Sequence, residues 1–200
     1  MSITVKNTVS GSTCRVGRLR RAAILFMLVW LVQLPAGLLL QPDSANVYAA
    51  NADHTSDRLL RQVVPGADTF SDKSGTPPVY KAFRTDKASG EQTLIGYAFV
   101  TPDFPPEPNG YNGPIDTLVG MDLEGNIVGL RVIYYKESLR YTIGDFFSWG
   151  FEEQFVGKTA KDDYRVDRDI DGVARATISS KAAARGIRRA VRAVTEAYIK

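Results

Sequence analysis

The residues of this chain best suited to hold a ligand lie near its C-terminal end, in the run DGVARATISSKAAARG at 171–186. Thr177, Ser179 and Ser180 supply hydroxyls and Lys181 supplies charge, just where a helical pattern opens. In that pattern Ala183, Ile187, Ala190, Val191, Val194 and Tyr198 recur on one face. A helix beginning near Ser180 turns unpaired N–H groups and the positive end of its dipole toward whatever precedes it, a favourable place for an anion. The plain alternative for Ser179 and Ser180 is an ordinary N-cap. A second candidate is the loop of Gly110, Tyr111, Asn112 and Gly113, where backbone can come close to a ligand and Tyr111 can stack on a flat ring; a glycine-rich turn would read the same way. Glu137, in YKES, reads on sequence alone as an exposed carboxylate at a strand end.

Other chemistries are excluded by count. The one cysteine, Cys14, precedes an apolar segment and the one histidine, His54, follows it closely. The expected domain therefore has no thiols for a disulfide, an iron–sulfur cluster or a Cys-ligated zinc, and no set of histidines for a triad or metal site. Redox chemistry here requires an organic cofactor. Asp162, Asp163, Asp167, Asp169 and Asp171 invite a metal reading, but their spacing is not that of an EF-hand, and all except Asp171 are read as solvated loop charges. The net charge of +3 owes much to Arg15, Arg18, Arg20, Arg21 and the last helix. With no concentrated basic stripe and no zinc-finger or helix-turn-helix pattern, nucleic acid is not an expected partner. Arg185, Arg188, Arg189 and Arg192 read as a solvated helix face, with a surface for anionic lipid or an acidic partner as the functional alternative.

The elements that must position these residues follow from periodicity. Residues 53–64 form a short amphipathic helix capped by Thr55 or Ser56 and stopped by Pro65-Gly66. Alternation predicts an antiparallel hairpin from residues 79–85 and 93–101, with a turn between. Residues 115–122 and 126–135 form a second hairpin around Leu123-Glu124-Gly125. Residues 71–78 and 102–113 are loops by their Gly and Pro content. Phe146, Phe147, Trp149, Phe151 and Phe155 lie in a partly helical stretch and pack the core, or shield a ligand. The fold class is α+β: a small antiparallel sheet of about four strands packed with helices, including the amphipathic C-terminal helix.

Residues 22–40, AAILFMLVWLVQLPAGLLL, are apolar and follow four arginines, the arrangement of a signal peptide or an anchor with its N-terminus in the cytoplasm. Gln33, Pro35 and Gly37 interrupt the run, and VYAANA after it offers small residues to a signal peptidase. The expected division is residues 1–52 as basic region and signal peptide or anchor, and residues 53–200 as one domain outside the cytoplasm.

In order, the segments GYAFVTPD, NGYNGPID, TLVGMDLEGNIVGLRVIYYKES and DGVARATISS resemble the FMN-binding domain of NosR/NirI-type proteins, from about Val64 to the C-terminal helix. The resemblance implies FMN as cofactor and electron transfer as role. The partners it implies are an ApbE-type flavin transferase and membrane or periplasmic electron-transfer proteins. In the family the flavin phosphate is often esterified to a threonine in the pattern Asp-x-x-Ser/Thr-Gly-Ala-Thr/Ser. Here Asp171, Ala176 and Thr177 match, while Ala174 and Arg175 stand in the Ser/Thr and Gly places. Arginine adds bulk and charge where glycine allows positive φ or close approach, and its guanidinium can pair with a phosphate. The resemblance favours contact of Tyr111 and Gly113 with the ring and places Glu137 near the flavin; with FMN there, Ser179 or Ser180 is expected to donate to the phosphate and Lys181 to add charge beside it. The alternative function is a cofactor-free regulatory or assembly module that uses the same cleft to bind a protein.

Overall fold

The computed structural model describes residues 55–199; the apolar run, its basic flank, Cys14 and His54 lie outside them. Helix α1, Asp57–Val63, follows Ser56, whose extended backbone makes it the N-cap, and it ends before Gly66, where φ is +87°. Five strands follow: β1 Thr69–Phe70, β2 Tyr80–Thr85, β3 Gln92–Val100, β4 Ile115–Asp122 and β5 Ile127–Tyr135. Every neighbouring pair is antiparallel and the strands lie in chain order, so the sheet is a plain meander. A single helical turn, α2, spans Arg140–Ile143, and the long helix α3 spans Thr177–Tyr198. Among the described residues no helix is long and apolar enough to cross a membrane.

The turns carry local chemistry that explains the register. At the β2–β3 turn the Asp86 carboxylate accepts from the amides of Ala88 at 2.6 Å and Ser89 at 3.2 Å. At the β4–β5 turn Asp122 accepts from the amides of Glu124 and Asn126, and Gly125 takes φ +88°. The expected strands stand within one residue of their observed ends. The fifth strand, β1, falls in a stretch with no alternation; it exists because Thr69 and Phe70 pair with Phe83 and Ala82 of β2. Two residues are too few for a periodic signal.

Strand pleating separates two cores, since adjacent residues face opposite sides. Ala98, Val100 and Leu118 join Leu60, Val63 and Val64 beneath α1. Phe99, Val119 and Met121 face the other way, onto Ile187, Ala190, Val191 and Val194 of α3. The aromatic stretch joins this second core as two 3₁₀ turns, Phe146–Ser148 and Glu153–Phe155. Phe146, Phe147, Phe151 and Phe155 are buried there, whereas Trp149 is 63% exposed, so the core reading holds for four of the five.

Candidate functional site

Helix α3 starts earlier than its sequence suggests. Its N-cap is Ala176 and its first residue Thr177, so Ser179 and Ser180 sit inside the first turn and are buried. The N-cap reading of these serines is thereby corrected. The reason is local: Arg175 adopts φ +66°, turning the chain, and Ala176 donates to the Val173 carbonyl at 3.0 Å, which brings the helix axis into line at once. The Ser180 hydroxyl then serves as acceptor for the Val173 amide at 3.0 Å. Ala176 offers no side-chain cap, and the first amide with a backbone partner is that of Ser180, which donates to Ala176. The amides of Thr177, Ile178 and Ser179 are thus the orphan donors of a helix start.

A cavity of about 370 Å³ opens at this helix start, a size within the range of roughly 300–1,000 Å³ of small-molecule sites. One wall is Arg175, Ala176, Thr177, Ile178 and Ser179; the other is Glu137, Ser138 and Leu139, the segment that leads from β5 into α2; Tyr111 closes the rim. Thr177 and Arg175 are exposed, Leu139 is half-buried, and Tyr111 is 74% exposed. One end is therefore polar and rich in donors, and the other offers an aromatic ring and aliphatic carbon.

Glu137 is not the exposed strand-end carboxylate that sequence alone suggests; it is 5% exposed. Its Oε1 accepts from the amides of Tyr111 at 3.0 Å and Asn112 at 3.4 Å. The Ser179 hydroxyl accepts from the same Tyr111 amide at 3.3 Å. Gly110 permits this meeting, because a Cβ there would collide with Glu137 Oε1 and crowd Ser179 Oγ. The loop that carries Tyr111 is thereby tied to both walls of the cavity. Its proximal part is held as well: Arg189 donates to the carbonyls of Phe104 and Pro106, and Gly186 lets Pro108 pack against α3.

The structure brings Tyr111, Glu137, Arg175, Ala176, Thr177 and Ser179 to one cavity and leaves Gly113, Asp171, Ser180 and Lys181 outside its lining. Gly113 instead shapes the loop, at φ +132° with its carbonyl accepting from Gly110. Lys181 pairs with Asp167 at 3.1 Å. Asp171 lines a second cavity that includes Phe146, Trp149 and Gln154. Gln154 grips the Asp171 backbone by accepting from its amide and donating to its carbonyl.

Three lining residues escape the sequence reading: Ser138, Leu139 and Ile178. Ile178 had a signal, since it is apolar yet out of phase with the buried stripe of α3. The arginines of α3 are also not a solvated face throughout: Arg188 pairs with Asp163 at 3.6 Å, Arg192 donates to the Ala160 carbonyl, and Arg189 clamps the loop. The aspartates are likewise tied into loops; Asp162 accepts from the amide and hydroxyl of Thr159, which holds its carboxyl below the usual value.

One component of the ion-translocating oxidoreductase complex of Vibrio cholerae is 30% identical over 135 residues, 62% of this chain and 60% of that protein. The same component from Stutzerimonas stutzeri is 31% identical, covering 68% of this chain and 64% of its own length. That of Vibrio atlanticus is 29% identical, covering 69% and 72%. The chain thus spans about three fifths of the Vibrio cholerae relative. A model of the FMN-binding domain family matches residues 110–192, a span that contains every residue lining the cavity. Over those residues the chain is similar to the FMN-binding domain family.

Proposed function

We propose that this protein is an FMN-carrying electron-transfer component, exported or anchored at the outer face of a bacterial cytoplasmic membrane, with the cofactor joined to Thr177 through a phosphoester. The observation that supports this best is the placing of an exposed threonine hydroxyl at the first residue of a helix whose leading amides have no partner, at the mouth of a cavity inside the family-matched span.

The donor set suits the group. Orphan amides and the helix dipole favour a phosphate at the polar end, and Tyr111, Leu139 and Ile178 offer ring-sized apolar surface at the other. Bound FMN supplies one- and two-electron redox chemistry. This chain's residues bind and orient it: Thr177 carries the link, Ser179 and Glu137 hold the Tyr111 loop against it, and Asp171 presents the acceptor segment to a transferase. Ser180 and Lys181 act on the same segment from outside the cavity, through Val173 and Asp167. In the attachment step Thr177 Oγ forms a bond to the flavin-side phosphorus of a pyrophosphate-linked flavin nucleotide. The pyrophosphate bond breaks, the other nucleotide leaves, and the hydroxyl proton passes to a base on the transferase. The relatives' names point to a multi-component membrane complex as the setting, with donor and acceptor on other proteins of that complex.

The test is coexpression of the full chain with a flavin transferase, followed by denaturation. Flavin fluorescence and an FMN-sized mass increment should remain on the chain and vanish in Thr177→Ala. A native protein with no flavin would instead favour the cofactor-free binding module.

A further inference from the structure

The acceptor pattern has glycine where this chain has Arg175, and the backbone explains why, since φ there is +66°, a conformation glycine adopts freely and other residues resist. The chain nevertheless places a long cationic side chain at this point. Arg175 is exposed, has no hydrogen bond or ion pair among the described residues, and is the only cation lining the cavity. Most other cations of α3 are engaged elsewhere, Lys181 with Asp167, Arg188 with Asp163, Arg189 and Arg192 with backbone carbonyls, and Arg185 lines other pockets than this one. The cavity's one carboxylate, Glu137, is turned to the Tyr111 and Asn112 amides. An unengaged guanidinium thus stands two residues before Thr177, beside three orphan amides.

We propose that Arg175 is a charge clasp for the FMN phosphate, so that the cofactor is captured noncovalently before, and without, ester formation at Thr177. The proposal rests on the FMN reading above and deepens it. Guanidinium and phosphate match as planar donors to tetrahedral oxygens, and backbone strain retained at a ligand site is consistent with a binding role.

The experiment uses the detergent-solubilised full chain from a host without flavin transferase, titrated with FMN and with riboflavin, which lacks the phosphate. Wild type should bind FMN about tenfold or more tightly than riboflavin, the gain expected of hydrogen bonds between charged groups, and added salt should narrow that ratio. R175G should erase the preference while its melting temperature holds or rises, because glycine relaxes the turn; a purely structural arginine would not move the ligand ratio. R175Q keeps the side chain's reach, removes its charge and should also lose the preference, and R175K should retain part of it. A wild-type chain with equal affinity for both flavins, or R175G and R175Q variants with the wild-type ratio, would overturn the clasp. Either result leaves the FMN reading intact if coexpression with the transferase still loads Thr177; a chain that takes no flavin even then overturns that reading instead.

Discussion

On one face of the sheet the seven-residue α1 sits over a notch of two glycines, while on the other the 22-residue α3 packs through alanines and begins at a cavity. The notch is a cross-strand pair, Gly120 opposite Gly129. A Cβ on either would run into the Val63 carbonyl. Backbone therefore lies against backbone, and little room remains for a ligand. On the α3 face the contacts are side chain to side chain in the middle, and the helix start is left open between two loop segments. A short helix packed on backbone seals a sheet; a long one whose start is left open beside a cavity exposes orphan amides, which suit a phosphate group.

This contrast can be broken from the sealed side. Gly120→Val should be the most damaging change, about 3 kcal/mol, because overpacking against backbone has no rotamer escape. A urea unfolding curve should show the midpoint falling without a change in slope. From the open side, Glu137→Ala leaves the Asn112 amide without its acceptor and the Tyr111 amide with Ser179 Oγ alone, and should cost about 2 kcal/mol. Glu137→Gln should recover much of that loss, since its carbonyl oxygen still accepts. The open face should also lose flavin occupancy in Glu137→Ala, read as flavin absorbance per chain after coexpression with the transferase. An alanine variant that keeps full occupancy would mean that the Tyr111 loop is not part of the site.

The smallest effect lies outside the cavity lining, in the loop of Thr159 and Asp162. Asp162 has its carboxyl held below the ordinary value of 3.8, chiefly by the Thr159 amide. A folded value below the unfolded one means that its contribution is complete above about pH 4 and is lost as the pH falls through the folded value. Asp162→Asn should therefore flatten part of the acid limb of a stability-versus-pH curve and leave stability nearly insensitive there. Equal acid limbs in both proteins would place the sensitivity elsewhere.

Much of the fold was legible because it rests on local periodicity. The two hairpins, the stop after α1 and the stripe of α3 follow from alternation, from Gly at turns and from spacing of about 3.6 residues. Of the site, Thr177, Ser179 and Tyr111 were legible as residue types beside a helix start and in a glycine-rich loop. Ser180 and Lys181 were not: both lie within a residue or two of Ser179, but helical rotation turns one inward to Val173 and the other toward Asp167. Arg189 likewise read as one of a row of surface charges, although it clamps carbonyls more than eighty positions earlier.

By itself the sequence determined the two hairpins, the helices that flank them, the chemistries excluded by residue count and the segment 171–177 with its Arg175, because these depend on residue type and short-range spacing. Only tertiary structure decided that Glu137 is buried and turned onto the Tyr111 loop, that α3 begins at Thr177 and that its first residues line a cavity. Those features arise where segments far apart in the chain meet. A carboxylate's burial and an amide's want of a partner are properties of that meeting, and no local pattern encodes them.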